Sequence, residues 1–522
     1  MQKTAARIEE LEIKCSLQEQ EIDELKTRLK VYEEQIRLNK ARRFGPKSEV
    51  DAGQINIFNE VELERNPKAP EPTIEVATHK RRKSRGKNKI DLDDLPTETI
   101  EYKLPPEEQK CSTCNGEMHE MSTEVRSELH MLPVQFKQVK HVRSVYGCRQ
   151  CEQKGTKATI VTAKMPEPAF PGSIASPSLV AHIISQKYVE ARPLYRQEKA
   201  FERQGIEISR QNMANWVVKG AENWLSPIYD RLKQELMKQD TLHSDETPLQ
   251  VLKEPDRAVT SKSYMWLYAS GRDGPKIVLY DYRTTRASKH PQKFLADFSG
   301  YLHVDGYSGY NSLPGVTLIG CWAHARRKFD EALKALPPEK KDADVPAKEG
   351  LSYINRLFKL EREMKELSSE ERYRLRQKHS RPLVDKFYDW LAFQRPRVLP
   401  KSAFGEAIGY CINQREKLEG FLLDGRLELD NNRAERSIKP FVIGRKNFLF
   451  SNTPRGAEAS AVIYSIVETA KENGLSPFNY IKYLFEQLPN IDHGDAEAIK
   501  KLLPWADELP RECFGGKTKK GD

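Results

Sequence analysis

The chain has 522 residues, which at roughly 100–200 per domain corresponds to about three to five folding units. Hydrophobic residues make up 38% and charged residues 31%, a balance that suits ordered domains separated by solvated helices and linkers. No run approaches the roughly 20 apolar residues of a spanning helix, so no membrane partner is expected, and a formal net charge of +10 favours polyanions.

The start, Met1-Gln2-Lys3-Thr4, has no apolar signal core and leads into a charged helix, so a cytoplasmic protein is expected. Residues 1–44 form a heptad ladder. Ile8, Cys15, Ile22, Leu29 and Ile36 occupy one series; Leu11, Gln18, Leu25, Tyr32 and Asn39 occupy its companion. So narrow a stripe fits a coiled coil that joins copies of the chain, the alternative being an amphipathic helix packed on its own domain. The helix should stop near Phe44-Gly45-Pro46.

Residues 45–103 read as a flexible linker with a basic run that includes Lys80, Arg81, Arg82 and Lys83. Such a run is either a solvated linker or an arm on DNA phosphates, and the segments that follow favour the arm. In 104–165, Cys111-Ser112-Thr113-Cys114 and Cys148-Arg149-Gln150-Cys151 make two Cys-x-x-Cys knuckles. Eight cysteines in so long a chain are no disulfide scaffold, whereas two knuckles supply the four thiolates of a closed, structural Zn2+ site. The Val-rich stretch between them, with Phe136 and Tyr146, predicts short strands.

Residues 170–236 turn helical. Leu179, Ile183, Ile184 and Tyr188 share a face, Pro193 to Arg203 gives a second helix, and after Gly205 a third begins at the capping residue Ser209. Helix, glycine turn and capped helix outline a helix-turn-helix, with Arg210, Gln211 and Asn215 exposed towards DNA; simple helical packing has the same outline.

From 237 to 337 the texture is strand-like. Candidate strands are 240–246, 264–269, 276–281, 300–307 and 316–321, with a helix containing Phe294 and Leu295 between the third and fourth. A basic helix from Trp322 follows the fifth. That order fits a ribonuclease-H-like sheet, in which the first and fourth strands are neighbours and Asp245 meets Asp305. Adjacent carboxylates repel unless a hard divalent cation, Mg2+ or Mn2+, lies between them. Residues 338–425 read as a helical insertion, 426–490 as the second part of the core and 491–522 as a tail. In Asp430-Asn431-Asn432-Arg433-Ala434-Glu435, Asp430 can cap a helix that Pro440 ends or kinks. Glu428, Asp430 and Glu435 all remain open as the third acid.

Asp245-Glu246-Thr247-Pro248, His303-Val304-Asp305-Gly306-Tyr307, Cys321-Trp322-Ala323-His324, Asp430 to Arg436 and Gly444-Arg445-Lys446-Asn447 resemble motifs of the insertion-sequence 66 family of transposases. So do Phe44 to Glu49, the double knuckle and Leu502-Leu503-Pro504-Trp505, in the same order over nearly the whole chain. The resemblance implies a multidomain α+β and α/β protein and an acidic triad of Asp245, Asp305 and Glu435. It implies metal-dependent cleavage of transposon ends and strand transfer into target DNA, with small accessory proteins as companions. Cys321 and His324 resemble a Cys-x-x-His element with an orienting or DNA-contacting role. Arg326, Arg327, Arg445 and Lys446 are further expected DNA contacts. A non-catalytic DNA-binding regulator and a nuclease without strand transfer are the rival readings.

Overall fold

A computed structural model describes residues 2–44, 136–142, 144–147, 160–337 and 345–515. Lys80, Arg81, Arg82 and Lys83, and the cysteines Cys111, Cys114, Cys148 and Cys151, lie outside the described residues. The chain divides into a unit of Ser48–Met165 and a unit of Met1–Lys47 with Pro166–Asp522. In the smaller unit Val145–Gly147 (β1) and Ile160–Thr162 (β2) pair antiparallel.

The larger unit begins with α1, Gln2–Phe44, which ends where the Gly-Pro signal places its end. Its ladder residues Ile22, Leu25, Leu29 and Ile36 are about half exposed. Near the end of α1, Arg37 Nε donates to the Ala335 carbonyl at 2.8 Å and Glu34 Oε2 accepts from the Ala403 N–H at 3.2 Å. Then come α2 (Pro177–Tyr188), α3 (Leu194–Glu202), α4 (Arg210–Gly220) and α5 (Ser226–Met237). Ser209 Oγ accepts from the Asn212 N–H at 3.2 Å, the cap that the sequence places there. Gly205 turns the chain at φ +74°, a conformation that costs glycine little.

The sheet contains β3 (Thr241–Gln250), β4 (Lys262–Ser270), β5 (Val278–Arg283), β6 (Gly300–Val304) and β7 (Val316–Gly320), with α6 (Lys289–Phe294) before β6. The strand order is β5-β4-β3-β6-β7. The β3–β4–β5 meander is antiparallel, and β6 and β7 join in parallel. The first and fourth strands are thus neighbours, as the order of elements predicts. β3 does not end at its acids but runs on to Gln250, because β4 pairs with it through Lys262. Pro248 is tolerated there because β6 pairs only as far as His243, which leaves that stretch of β3 open on one side.

Trp322–Lys334 (α7) leaves β7 and leads to the helices α8 (Pro346–Glu363), α9 (Ser369–Leu375), α10 (Arg381–Gln394), α11 (Ala403–Asn413) and α12 (Arg415–Glu419). Ile354, Phe387, Leu391 and Phe421 form a core of their own, and Ile319 of β7 with Trp322 and Phe329 of α7 belongs to it. The insertion is therefore anchored on the sheet's last strand and helix. The chain returns through α13 (Asn432–Phe448), which packs on β3 and β4, and α14 (Pro454–Glu472), which lies along β5. Ser465 Oγ and Thr469 Oγ1 accept from the N–H groups of Tyr280 and Val278 at 2.8 and 3.0 Å. The helix thereby satisfies an edge strand that would otherwise expose unpaired backbone. Pro477–Gln487 (α15) and Ala496–Lys500 (α16) follow.

Two expectations for α13 need correction. Asn431, not Asp430, holds the N-cap position, while Asp430 Oδ1 accepts from the Asn432 N–H at 3.0 Å. Pro440 does not end the helix, which continues to Phe448 because Ile438, Phe441 and Gly444 stay buried on either side of it. Among the described residues no helix is long and apolar enough to cross a membrane.

Candidate active site

In the parallel β3–β6 ladder Leu242 stands opposite Leu302 and His243 opposite His303. Side chains alternate with period two, so Asp245 and Asp305 are the next residues on the face that carries the two histidines. Asp245, Asp305 and Glu435 line one open cleft of about 300 Å³, together with Asn431, His324, Arg327 and Lys439. The first acid stands in the middle of β3, the second directly follows β6, and the third is on the first turn of α13.

Each aspartate is fixed by backbone. Asp305 Oδ1 accepts from the N–H groups of Gly306 and Tyr307, both at 2.8 Å. Gly306 adopts φ +154° there, with Tyr410 about 3.3 Å from where a Cβ would stand. Asp245 Oδ1 accepts from the Glu246 N–H at 2.8 Å. Burial, followed by the Glu246 carboxylate, pushes Asp245 up to about 8, and the charges of Asp305 and Glu435 add to it.

Glu246 is a buried acid that the motifs do not single out. Its carboxylate receives Arg286 Nε at 2.7 Å and the Tyr310 hydroxyl at 2.6 Å, which leaves it compensated. Glu428 lies 3.6 Å from His243 Nε2, Arg272 Nε and Arg433 Nη2. Burial alone would raise Glu428, but its cationic neighbours, His243 when protonated and Arg433 and Arg272 at all times, hold it below the usual carboxylate value. Asp430 serves the turn before α13. Of the three acids left open by the residues alone, only Glu435 lines the cleft.

Cys321 is the buried N-cap residue of α7, and its Sγ accepts from the Asn431 N–H at 3.2 Å. Burial pushes its thiol up to about 12, so it is held as a neutral thiol. His324 Nε2 stands 3.8 Å from Glu435 Oε1, and Arg327 Nη2 is 3.8 Å from Glu435 Oε2. Ligand-type atoms of Cys321, His324 and Glu435 all fall within 4.8 Å of one another.

Asn431 is the residue that motif reading missed. It is 1% exposed, and its Nδ2 donates to the Ser244 carbonyl at 2.8 Å. Its Oδ1 pairs with His243 Nδ1 at 2.9 Å. One amide thus ties the start of α13 to β3 just before Asp245, while its backbone N–H reaches the cap of α7. The only signal in the sequence is its place inside a polar motif, which reads as surface.

Arg210, Gln211 and Asn215 are exposed on α4, as the helix-turn-helix outline requires, but they do not line the carboxylate cleft. Arg326 on α7 and Lys446 on α13 are at least partly exposed. Arg445 is half buried and donates to Thr247 Oγ1 at 3.3 Å, which gives it a structural partner beside β3.

Comparison with known proteins gives the same order of parts. Residues 172–459 match the model described as Transposase IS66 family, and 465–505 match the IS66 C-terminal element. Residues 108–152 match the zinc-finger binding domain of transposase IS66, and 31–100 match Transposase C of IS166 homeodomain. The uncharacterized protein y4jD of Sinorhizobium fredii is 32% identical over 418 residues, 77% of this chain and 79% of its own. The uncharacterized protein y4qI of the same organism is 31% identical over 479 residues, 88% of this chain and 82% of its own. A model match over more than half the chain, with flanking elements in order, shows that the chain belongs to the IS66 family of transposases.

Proposed function

We propose that this chain is the DNA-cleaving and strand-transferring enzyme of its element, with Asp245, Asp305 and Glu435 as the metal-binding triad of a ribonuclease-H-like core. The observation that carries the reading is the convergence of these three acids on one cleft from β3, β6 and α13.

The donor set fits Mg2+ or Mn2+. All three groups offer hard oxygen ligands, and burial with neighbouring acids pushes Asp245 up, a cost that a divalent cation would offset. Two such ions, when bound, activate the attacking water or 3′-OH and stabilise the leaving 3′ oxygen of an in-line displacement. The chain's own residues supply geometry. The turn at Gly306 and Tyr307 fixes Asp305, the Glu246 N–H fixes Asp245, and Asn431 sets the helix that carries Glu435. His324 and Arg327 flank Glu435 and orient its two oxygens. Lys439 lines the same cleft and offers a cation to a phosphate.

In this reading residues 1–44 pair copies of the chain and 45–103 form a basic arm. The module at 104–165 is closed by Zn2+ on Cys111, Cys114, Cys148 and Cys151. Residues 170–236 recognise the transposon ends through Arg210, Gln211 and Asn215. Residues 237–337 and 426–490 build the catalytic core around the helical insertion at 338–425. The test is cleavage and joining of end-bearing DNA in Mg2+ or Mn2+, with the element's accessory proteins supplied. An intact protein that never cuts overturns the enzyme, and one that cuts but never joins pre-cut ends is a nuclease.

A further inference from the structure

The insertion carries a charged face that the triad does not use. Helix α8 buries Ala347, Gly350, Ile354 and Leu357 against the insertion core. Its other side lines an open groove of about 420 Å³ with Lys348, Ser352, Asn355, Arg356, Lys359 and Arg362. Arg356, Lys359 and Arg362 are exposed.

The acids of the helix do not neutralise this face. Glu349 sits in the first turn, about two turns before Arg356, Glu361 turns inward onto the buried Arg376, and Glu363 stands 4.0 Å from Lys359. Like charges three residues apart destabilise a helix by a few tenths of a kcal/mol per pair, so the row Arg356, Lys359, Arg362 is not there for helix stability. At 1.5 Å per residue, Lys348 to Arg362 spans about 21 Å, roughly six base pairs of duplex.

The face is also connected to the carboxylate cleft. Arg327 stands beside Glu435, and its neighbour Arg326 donates from Nε to Asn355 Oδ1 at 2.9 Å, next to Arg356. Cations therefore run from the cleft along α7 and onto α8.

We propose that this face of α8 is a binding site for the phosphate backbone of duplex DNA as it leaves the carboxylate cleft. The proposal rests on the DNA-transposase reading above and adds the path of the duplex. Arg356, Lys359 and Arg362 each contact phosphate, so binding is sequence-independent and releases counterions.

The test is the salt dependence of binding by the full chain to a duplex of arbitrary sequence. Cleavage is blocked with Asp305→Asn. Replacing Arg356, Lys359 and Arg362 together by Gln should lower the slope of log affinity against log salt by about 2 to 3, since each phosphate contact contributes about 0.9. A control with Lys482, Lys500 and Lys501 changed to Gln removes the same charge elsewhere and should leave the slope near that of the parent. An unchanged slope in the α8 variant, or an equal drop in the control, overturns the proposal and leaves the enzyme reading standing. A drop seen on RNA duplex but not on DNA overturns the choice of DNA. A parent that binds no duplex sinks both readings. Circular dichroism checks that the variants are folded.

Discussion

His243 and His303 face each other in register on β3 and β6 and stack with ring centroids 4.2 Å apart and ring planes nearly parallel, at 8°. Both rings are fully buried, and burial is the main reason why both are held neutral, His243 down to about 4. Neutral stacked rings can pack closely where two charged ones would repel. They form the floor on which Asp245 and Asp305, two residues further on, are brought side by side.

Asp245→Asn, Asp305→Asn or Glu435→Gln keeps the side-chain shape and removes a charge that would hold a cation. Each should lower cleavage and joining on the order of a hundredfold or more, while binding to transposon ends survives. Glu428→Gln is the control, because Glu428 faces His243 and two arginines instead of the cleft. Gel assays in Mg2+, Mn2+ and Ca2+ check this, with Ca2+ supporting binding but little cutting. Normal cutting by Glu435→Gln beside a dead Glu428→Gln refutes the assignment.

Asn431→Ala should fold but cut poorly. It removes two buried side-chain hydrogen bonds and leaves the Ser244 carbonyl and His243 Nδ1 without them. The expected loss of stability is about 2–4 kcal/mol. Thermal denaturation measures that cost, and a cleavage assay well below the melting point should still show a deficit. Full activity in a folded variant would show that the amide is only structural.

Arg376 is a fully buried guanidinium bound to both oxygens of Glu361 at 2.8 and 2.7 Å. It also donates to the carbonyls of Phe421, Asp424 and Leu427. Arg376→Met strands a half-buried carboxylate and three carbonyls, which should destabilise the protein by about 3–5 kcal/mol. Because those carbonyls belong to the segment leading into α13, limited proteolysis should cut that segment faster in the variant. An unaltered digestion pattern would contradict the assigned role.

Replacing Ile22 and Leu25 by Glu puts charge into the seam of α1. Light scattering should then give the mass of a single chain where the parent gives a multiple. Identical masses would leave α1 a helix of its own chain.

Elemental analysis should find about one zinc per chain, since a closed site takes four protein ligands. Cys111→Ser should lose the metal, and an unaltered zinc content would dismiss that cysteine as a ligand.

Much of the sheet was legible because its strands are short alternating or apolar runs bounded by turn residues. β6 and β7 were placed within a few residues, and Ser209 marked the start of α4 by its own side-chain chemistry. Asp245 and Asp305 could be paired because strand order follows from the sequence of elements. Other features depend on contacts between distant parts of the chain. Arg372 and Arg376 are buried because the 421–427 segment folds over them, a contact that no local pattern shows. Asn431 stands in a polar motif that reads as surface, and its burial follows only once β3, α7 and α13 have converged. Pro440 is a residue that ends or kinks a helix, but packing on the sheet carries α13 past it to Phe448.

The insertion between α7 and α13 also sets the order in which the cleft can come into being on the ribosome. Asp245 and Asp305 emerge early, whereas Glu435 and Asn431 follow only after all the helices of the insertion. At about 5–20 residues per second the delay is on the order of ten seconds. During that interval the nascent chain carries two of the three carboxylates and lacks the amide that aligns them. A chain stopped anywhere before α13 lacks both Glu435 and Asn431, so under the proposed function it carries an incomplete set of acids.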